Sequence, residues 1–266
     1  MTDRATGQVN ASAADYYEQH FVPALFKHRT ASLLDVAGVS PGDRVLDVGC
    51  GTGVLARDTW QHMNRSGSVV GVDLNDGMIE TAGRAEPDIE WCVAPAESLP
   101  FETSHFDRVV SQFALMFFSD REKALKEMWR VTKPGGRLTV AVWDTLENTP
   151  GYAAMTALDA SLFGQEVADE LVAPYSLGDK DELHALFAGA GIAGVSITTH
   201  SGMAVFPSIK AWVALDVEGW TLGEIIGPEG HQRLLAAAEE ELQEFVRDDG
   251  SVAFLSPSHI ISADKP

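Results

Sequence analysis

The residues with the most chemical content fall in nine positions, Val45-Leu46-Asp47-Val48-Gly49-Cys50-Gly51-Thr52-Gly53. Apolar residues flank one acid, the backbone becomes glycine-rich, and a helical pattern opens at Val54. That order predicts a buried strand, a tight turn and a helix start. Glycines let the chain turn sharply and let a ligand approach without meeting a Cβ. The helix start adds free N–H groups and a partial positive charge. A nucleotide-like ligand with a carboxylate is a natural guest. Counted from Gly49, the spacing misses the dinucleotide fingerprint Gly-x-Gly-x-x-Gly/Ala; counted from Gly51, Gly51-x-Gly53-x-x-Ala56 fits it formally. The glycines alone therefore leave a nicotinamide cofactor open. Asp73 ends a second apolar run, 20 residues after Gly53. An acid there can accept from both hydroxyls of a ribose.

Other reactive constellations are missing from the sequence. The eight histidines have no zinc-ligand spacing, so no metal is expected. There is no Gly-x-Ser-x-Gly elbow and no Gly-Lys-Ser/Thr phosphate loop. Cys50 stands where the glycine loop needs a small side chain and reads as structural.

Val45–Gly53 resembles the first motif of the class I S-adenosylmethionine (SAM)-dependent methyltransferases. Three more stretches follow in that family's order: Val69–Leu74, Ala94–Phe101 and Lys133-Pro134-Gly135-Gly136-Arg137-Leu138. The combination resembles the branch of the ubiquinone/menaquinone-biosynthesis C-methyltransferases and many small-molecule methyltransferases, across residues 40–145. The resemblance implies SAM as methyl donor and S-adenosylhomocysteine as product, with no metal. It places the cofactor against Asp47, Gly49, Cys50, Gly51, Thr52, Gly53, Asp73, Leu74, Met78, Ala96, Glu97 and Ser111. Asp73 would hold the ribose, Leu74 and Met78 would cover the adenine, and Ala96 and Glu97 would meet its edge. The acceptor would sit near the end of the fourth strand, beside Tyr17, Gln112 and Phe117. Gln112 is the one residue from 112 to 118 that both donates and accepts. Where the acceptor is a phenol or an enol carbon a base would help, and His20 is the candidate.

The elements that must position these residues follow from periodicity. Residues 11–40 read as helical, with Tyr16, Tyr17, Phe21, Leu25 and Phe26 at helical spacing around Pro23. Strands are predicted at 45–48, 69–73, 89–93, 106–111, 137–143, 192–199 and 251–261. Asn75 or Asp76 is placed to cap one helix, and Ser119-Asp120-Arg121-Glu122 resembles a capping box for another. The resemblance implies an α/β fold: a Rossmann-like, seven-stranded, mostly parallel sheet with an antiparallel last strand, helices on both faces and a helical lid. The division is then 1–40 N-terminal helical cap, 41–144 SAM-binding core, 145–178 lid insertion, 179–206 core, 207–247 lid insertion and 248–266 last strand and tail.

Composition narrows the partners. Lys and Arg number 19 against 39 Asp and Glu, a net charge of −20. Such a surface repels polyanions, and phosphate contacts dominate nucleic-acid affinity, so no nucleic-acid partner is expected. Two cysteines make no disulfide framework and indicate a reducing, cytoplasmic setting. No apolar run reaches the length of a membrane span. The expectation is a SAM-dependent methyltransferase of a small molecule, methylating O, N or C, as monomer or homodimer. The alternatives are a nicotinamide-dependent oxidoreductase and a non-catalytic SAM-binding protein.

Overall fold

A computed structural model of the chain describes residues 14–218 and 222–266. Parts of the expected N-terminal cap (1–13) and of the second insertion (219–221) lie outside the described residues.

Apolar runs without alternation give the central strands. β1 (Arg44–Val48) is buried along four of its five residues, and β2 (Ser68–Asp73) likewise reads as a two-sided interior strand. With β3 (Glu90–Val93), β4 (Phe106–Gln112) and β5 (Thr132–Trp143) they form parallel pairs. The full sheet adds β6 (Ser196–His200) and a last strand, β9 (Ser258–Asp264), in the order β3-β2-β1-β4-β5-β9-β6. β9 runs antiparallel to both of its neighbours. The strand order reverses at β1, so a crevice opens outside the carboxyl ends of β1 and β4.

The predicted last strand, 251–261, is in fact two. Pro257 has no N–H and cannot sit within a central ladder. The chain breaks there, leaving β8 (Val252–Leu255) to pair with β7 (Met203–Phe206) in a separate two-stranded sheet. The Ser256 N–H donates to the Gly202 carbonyl at 2.8 Å and closes the corner between the two sheets.

Helices α2 (Thr30–Ala37), α3 (Val54–His62), α4 (Asp76–Ala85), α5 (Arg121–Val131) and α8 (Lys180–Gly189) surround the main sheet. Asn75 caps α4, accepting from Gly77 and Met78 N–H. Asp120, rather than Ser119, caps α5. Ahead of them α1 (Tyr17–Phe26) carries Pro23 inside and is wound with π-helical bonds, Lys27 N–H reaching Val22 O.

The two insertions form one cap with β7 and β8. It consists of α6 (Pro150–Phe163), α7 (Gln165–Val172), α9 (Ile209–Glu218) and α10 (Leu222–Glu241), the last kinked at Gly227 before Pro228. Its core is aromatic: Phe206, Trp212, Phe254 and Tyr152 pack ring on ring at centroid distances from 4.8 to 6.0 Å. Gly151 lets α6 approach this core, since a Cβ there would lie 2.3 Å from the Phe254 ring.

Candidate active site

A cavity of about 1000 Å³ opens at the carboxyl ends of β1, β2 and β4, under the cap. Its two halves have different chemistry.

The first half is built by the glycine loop and the ends of β1 and β2. Gly49 and Gly51 hold φ of +71° and +54°, conformations that favour glycine. A Cβ on Gly49 would strike Ala114 at 2.3 Å, whereas Gly51 has only the Tyr17 ring at 4.0 Å and faces open cavity. Asp47, Cys50 and Thr52 line the same wall. Asp47 is buried with no side-chain partner, the Ala56 backbone N–H being the donor turned toward it, and burial pushes its carboxyl up to about 8. Burial also pushes the Cys50 thiol up, so it is held neutral. Asp73 stands at the end of β2. Its Oδ2 accepts from Gly51 N–H at 2.8 Å and its Oδ1 from Asn75 N–H at 2.9 Å. Burial outweighs those bonds and leaves its carboxyl raised.

Beyond Asp73 the wall turns apolar. Leu74, Met78 and Ala96 line it, Leu74 being 66% exposed and Met78 and Ala96 buried. Glu97 closes this end, accepting from Ser119 Oγ at 2.8 Å and Asp120 N–H at 3.2 Å. Burial alone would raise its carboxyl, but those bonds prevail and hold it below the usual range. Ser119, read from sequence as a helix cap, thus serves Glu97 instead.

Three expected residues fall elsewhere. Gly53 does not line the cavity: a Cβ there would lie 2.3 Å from the Trp91 ring, as would one on Gly71. The third glycine therefore makes room for an indole, and Ala56 is fully buried behind it. Packing accounts for the formal dinucleotide spacing. Ser111 is fully buried and outside the lining, because β4 alternates and turns Gln112 toward the cavity instead. His20 is exposed, packs 4.3 Å from the Tyr16 ring and does not reach the cavity. α1 presents Tyr17 inward and His20 to solvent, so His20 does not stand where a base for the acceptor would.

The second half is aromatic. Tyr17 and Phe117 line it, and Gln112 lines it with its Nε2 donating to Phe26 O at 3.3 Å. Sequence reasoning missed Trp143, Tyr152 and Tyr175. Trp143 ends β5 beside β4, so the rule that placed Gln112 could have found it; the two tyrosines lie in segments with no motif. Phe113 holds φ +56° and stacks on Trp143 at 3.8 Å, with 9° between the planes. The Arg29 guanidinium lies 4.8 Å over the other ring contact of this stack, Trp143. A bulky residue at positive φ costs roughly 1–3 kcal/mol, so this stack holds Phe113 against its backbone preference. Arg121 donates to Met116 O and Ser176 Oγ, at 2.8 and 3.0 Å, tying the loop after β4 to the cap. Among the described residues no group of three or more His, Cys, Asp or Glu could hold a metal ion.

The donor set of the first half fits SAM. A buried carboxylate without a side-chain partner, Asp47, suits an ammonium group; Asp73 retains lone pairs for ribose hydroxyls; Leu74, Met78 and Ala96 offer an apolar slot for a base.

Comparison with known proteins agrees with that geometry. A family model described as a methyltransferase domain matches residues 46–140. A ubiquinone/menaquinone biosynthesis C-methyltransferase of Laribacter hongkongensis is 38% identical over 169 residues, covering 60% of this chain and 67% of the relative. A demethylmenaquinone methyltransferase of Renibacterium salmoninarum is 41% identical over 109 residues, covering 41% of this chain and 45% of the relative. The chain thus spans between about half and two thirds of these curated relatives. A phosphoethanolamine N-methyltransferase of Haemonchus contortus, solved with SAM, shares the fold at TM-score 0.62 and 18% identity, over 99% of this chain and 59% of that one. The chain belongs to the class I SAM-dependent methyltransferases.

Proposed function

We propose that the protein methylates a hydroxylated aromatic small molecule of the quinol type, with SAM as donor. The observation that carries this reading is the aromatic second half of the cavity, which adjoins the Asp47–Asp73 half without a barrier. Phe26, Phe113, Phe117, Trp143, Tyr152 and Tyr175 offer ring faces to a flat ring, and Gln112 offers a donor and an acceptor to its substituents. The names of the relatives, which specify quinone precursors, point the same way.

When bound, SAM supplies a methyl carbon already made electrophilic by the sulfonium. The chain's share is to bind, orient and exclude water. On this reading Asp47 holds the ammonium end and Asp73 the ribose. Gly49, Gly51, Cys50 and Thr52 shape the loop, while Leu74, Met78, Ala96 and Glu97 hold the base. Tyr17, Gln112 and Phe117 orient the acceptor, and the cap closes over it as a lid. The free thiols of Cys50 and Cys92 suit a cytoplasmic setting. Among the described residues no helix is long and apolar enough to cross a membrane. The net charge of −20 argues against nucleic acid as substrate.

The test is turnover: SAM with a short-chain demethylmenaquinol, and mass spectrometry for a product heavier by one methylene. Product formation that Asp73→Ala abolishes supports the reading. SAM binding without turnover of this or any other hydroxylated ring leaves a SAM-binding protein and overturns it.

A further inference from the structure

Between α6 and α9 lies a set of buried polar atoms that the site described above does not use. Tyr152, Thr156 and Asp159 stand at i, i+4 and i+7 on α6, and so share one face. Trp212 and Asp216 stand at i and i+4 on α9. Asp159 and Asp216 are both fully buried. Both Asp159 oxygens and Thr156 Oγ1 have no hydrogen-bond partner, and the Trp212 indole N–H is turned toward Asp216 and Tyr152. Asp216 Oδ1 accepts from the Tyr152 hydroxyl at 3.2 Å. Tyr152 in turn lines the aromatic half of the cavity.

Two carboxylates in such a place are costly unless something uses them. The charge state supports a use. Burial pushes the Asp159 carboxyl up to about 7. Asp216 is pushed up by burial and then by the charge of Asp159. The pair therefore resists carrying two negative charges and takes up a proton near neutral pH. Three tyrosines and an acid also face it: Tyr152 from α6, Tyr175 from the segment before α8, Tyr16 from the N-terminal turn, and Glu218, which acts on Tyr16, from the end of α9. None of these is a cation that would hold both carboxylates ionised. A base is most effective when its proton affinity matches the working pH.

We propose that Tyr152, backed by the Asp216–Asp159 pair, takes the proton of the acceptor's hydroxyl. The proposal rests on the reading of the acceptor as a hydroxylated ring. Tyr152 donates to Asp216 and has the Trp212 indole N–H beside its oxygen, which leaves that oxygen one lone pair to accept from the acceptor's hydroxyl. As the acceptor O–H bond breaks, its proton passes to Tyr152 Oη, and the proton that Tyr152 held passes to Asp216 Oδ1. The electron pair stays on the acceptor and forms the bond to the methyl carbon. The carbon's bond to sulfur breaks, leaving its pair on sulfur. Where the methyl lands on a ring carbon, that carbon's own proton is lost to solvent afterwards and the pair returns a proton to the oxygen. Nothing is oxidised or reduced. Tyr152 is then a catalytic residue, while Asp216 and Asp159 are positioning residues that hold the charge behind it.

The test uses the full chain without cofactor and two fluorescent probes, 2-naphthol and 2-methoxynaphthalene, which share a ring but differ in the donor. Wild type should bind 2-naphthol about tenfold tighter, the worth of one hydrogen bond to a charge-backed acceptor. That preference should grow with rising pH as the pair loses its proton. Asp216→Asn and Tyr152→Phe should each reduce 2-naphthol to the level of 2-methoxynaphthalene and flatten the pH dependence. Both should bind 2-methoxynaphthalene as wild type does, which shows the cavity intact. If Asp216→Asn loses both probes, Tyr152→Phe decides alone. A wild type that binds both probes equally, or an intact variant that keeps the preference and its pH dependence, overturns the proton role while the aromatic acceptor stands. A wild type that binds neither probe overturns the aromatic acceptor and the proton role with it.

Discussion

Asp73 does two things with one carboxylate. It accepts from Gly51 N–H and Asn75 N–H and so draws the glycine loop to the cap of α4, and on the proposed reading its remaining lone pairs meet a ribose. Asp73→Ala should weaken SAM binding by about 2–3 kcal/mol through loss of two charge-assisted bonds. Because a loop N–H is also orphaned, it should lower Tm as well. Calorimetric titration measures the first, and unchanged affinity would refute the ribose role. At Gly51 the backbone is left-handed, so Gly51→Val forces a β-branched residue to φ +54° and should abolish SAM binding in equilibrium dialysis. Asp47 offers a separate readout. Its carboxyl is pushed up to about 8, so it is largely protonated at pH 7. An ammonium group seated on it favours the ionised form. SAM binding at pH 7 should therefore release close to one proton, which calorimetry in buffers of different ionisation enthalpy detects, and Asp47→Asn should release none. Glycine, acid and spacing made these residues legible in the sequence. Gly53 was legible as a glycine but not as room for Trp91, because that contact is made between separate elements.

At the scale of elements, the parallel strands were legible because two-sided burial writes continuous apolar runs, and Asn75 because a cap needs a short acceptor. The β7–β8 pair was not, because its partners lie far apart in sequence and only Pro257 signals the break. The cap residues Tyr152 and Tyr175 were also silent, since an apolar helix advertises burial and not which face meets a cavity. α1 settles a different ambiguity: its winding sends Tyr17 inward and His20 outward. Substitutions at Tyr17, Gln112 and Phe117 should accordingly change acceptor turnover or affinity and leave SAM affinity within a few fold. His20→Ala should change neither. Gln112→Ala removes in addition the bond from β4 to Phe26 O, so of these it should cost the most turnover. Measuring SAM affinity and acceptor kinetics on the same four variants checks this. Parallel loss of SAM binding in the three cavity variants would refute the separation of the two halves.

Across the whole molecule, buried acids set the response to pH. Asp47 and Asp159 are pushed up by burial to about 8 and about 7, and Asp73 and Asp216 are raised as well. Each binds its proton more tightly folded than unfolded. Between about pH 4, where an unfolded aspartate loses its proton, and the folded values, the native state holds more protons than the unfolded chain. Stability must then fall as pH rises through that window, the shares of Asp159 and Asp47 being lost around about 7 and about 8. A net charge of −20 acts in the same direction, because surface acids repel one another more as they ionise. Salt separates the two. The surface contribution is screened within about 10 Å at 0.1 M, whereas buried groups are screened far less. The Tm of the cofactor-free protein should therefore decrease from about pH 5 to about pH 8.5 and keep most of that slope in molar salt. Asp47→Asn and Asp159→Asn should each raise Tm at pH 8 and do little at pH 5, flattening the slope. Differential scanning fluorimetry on wild type and both variants, with and without salt, decides the matter. A slope that salt removes entirely would assign the pH response to the surface, and the buried carboxylates would then have to be ionised and paired in the native state.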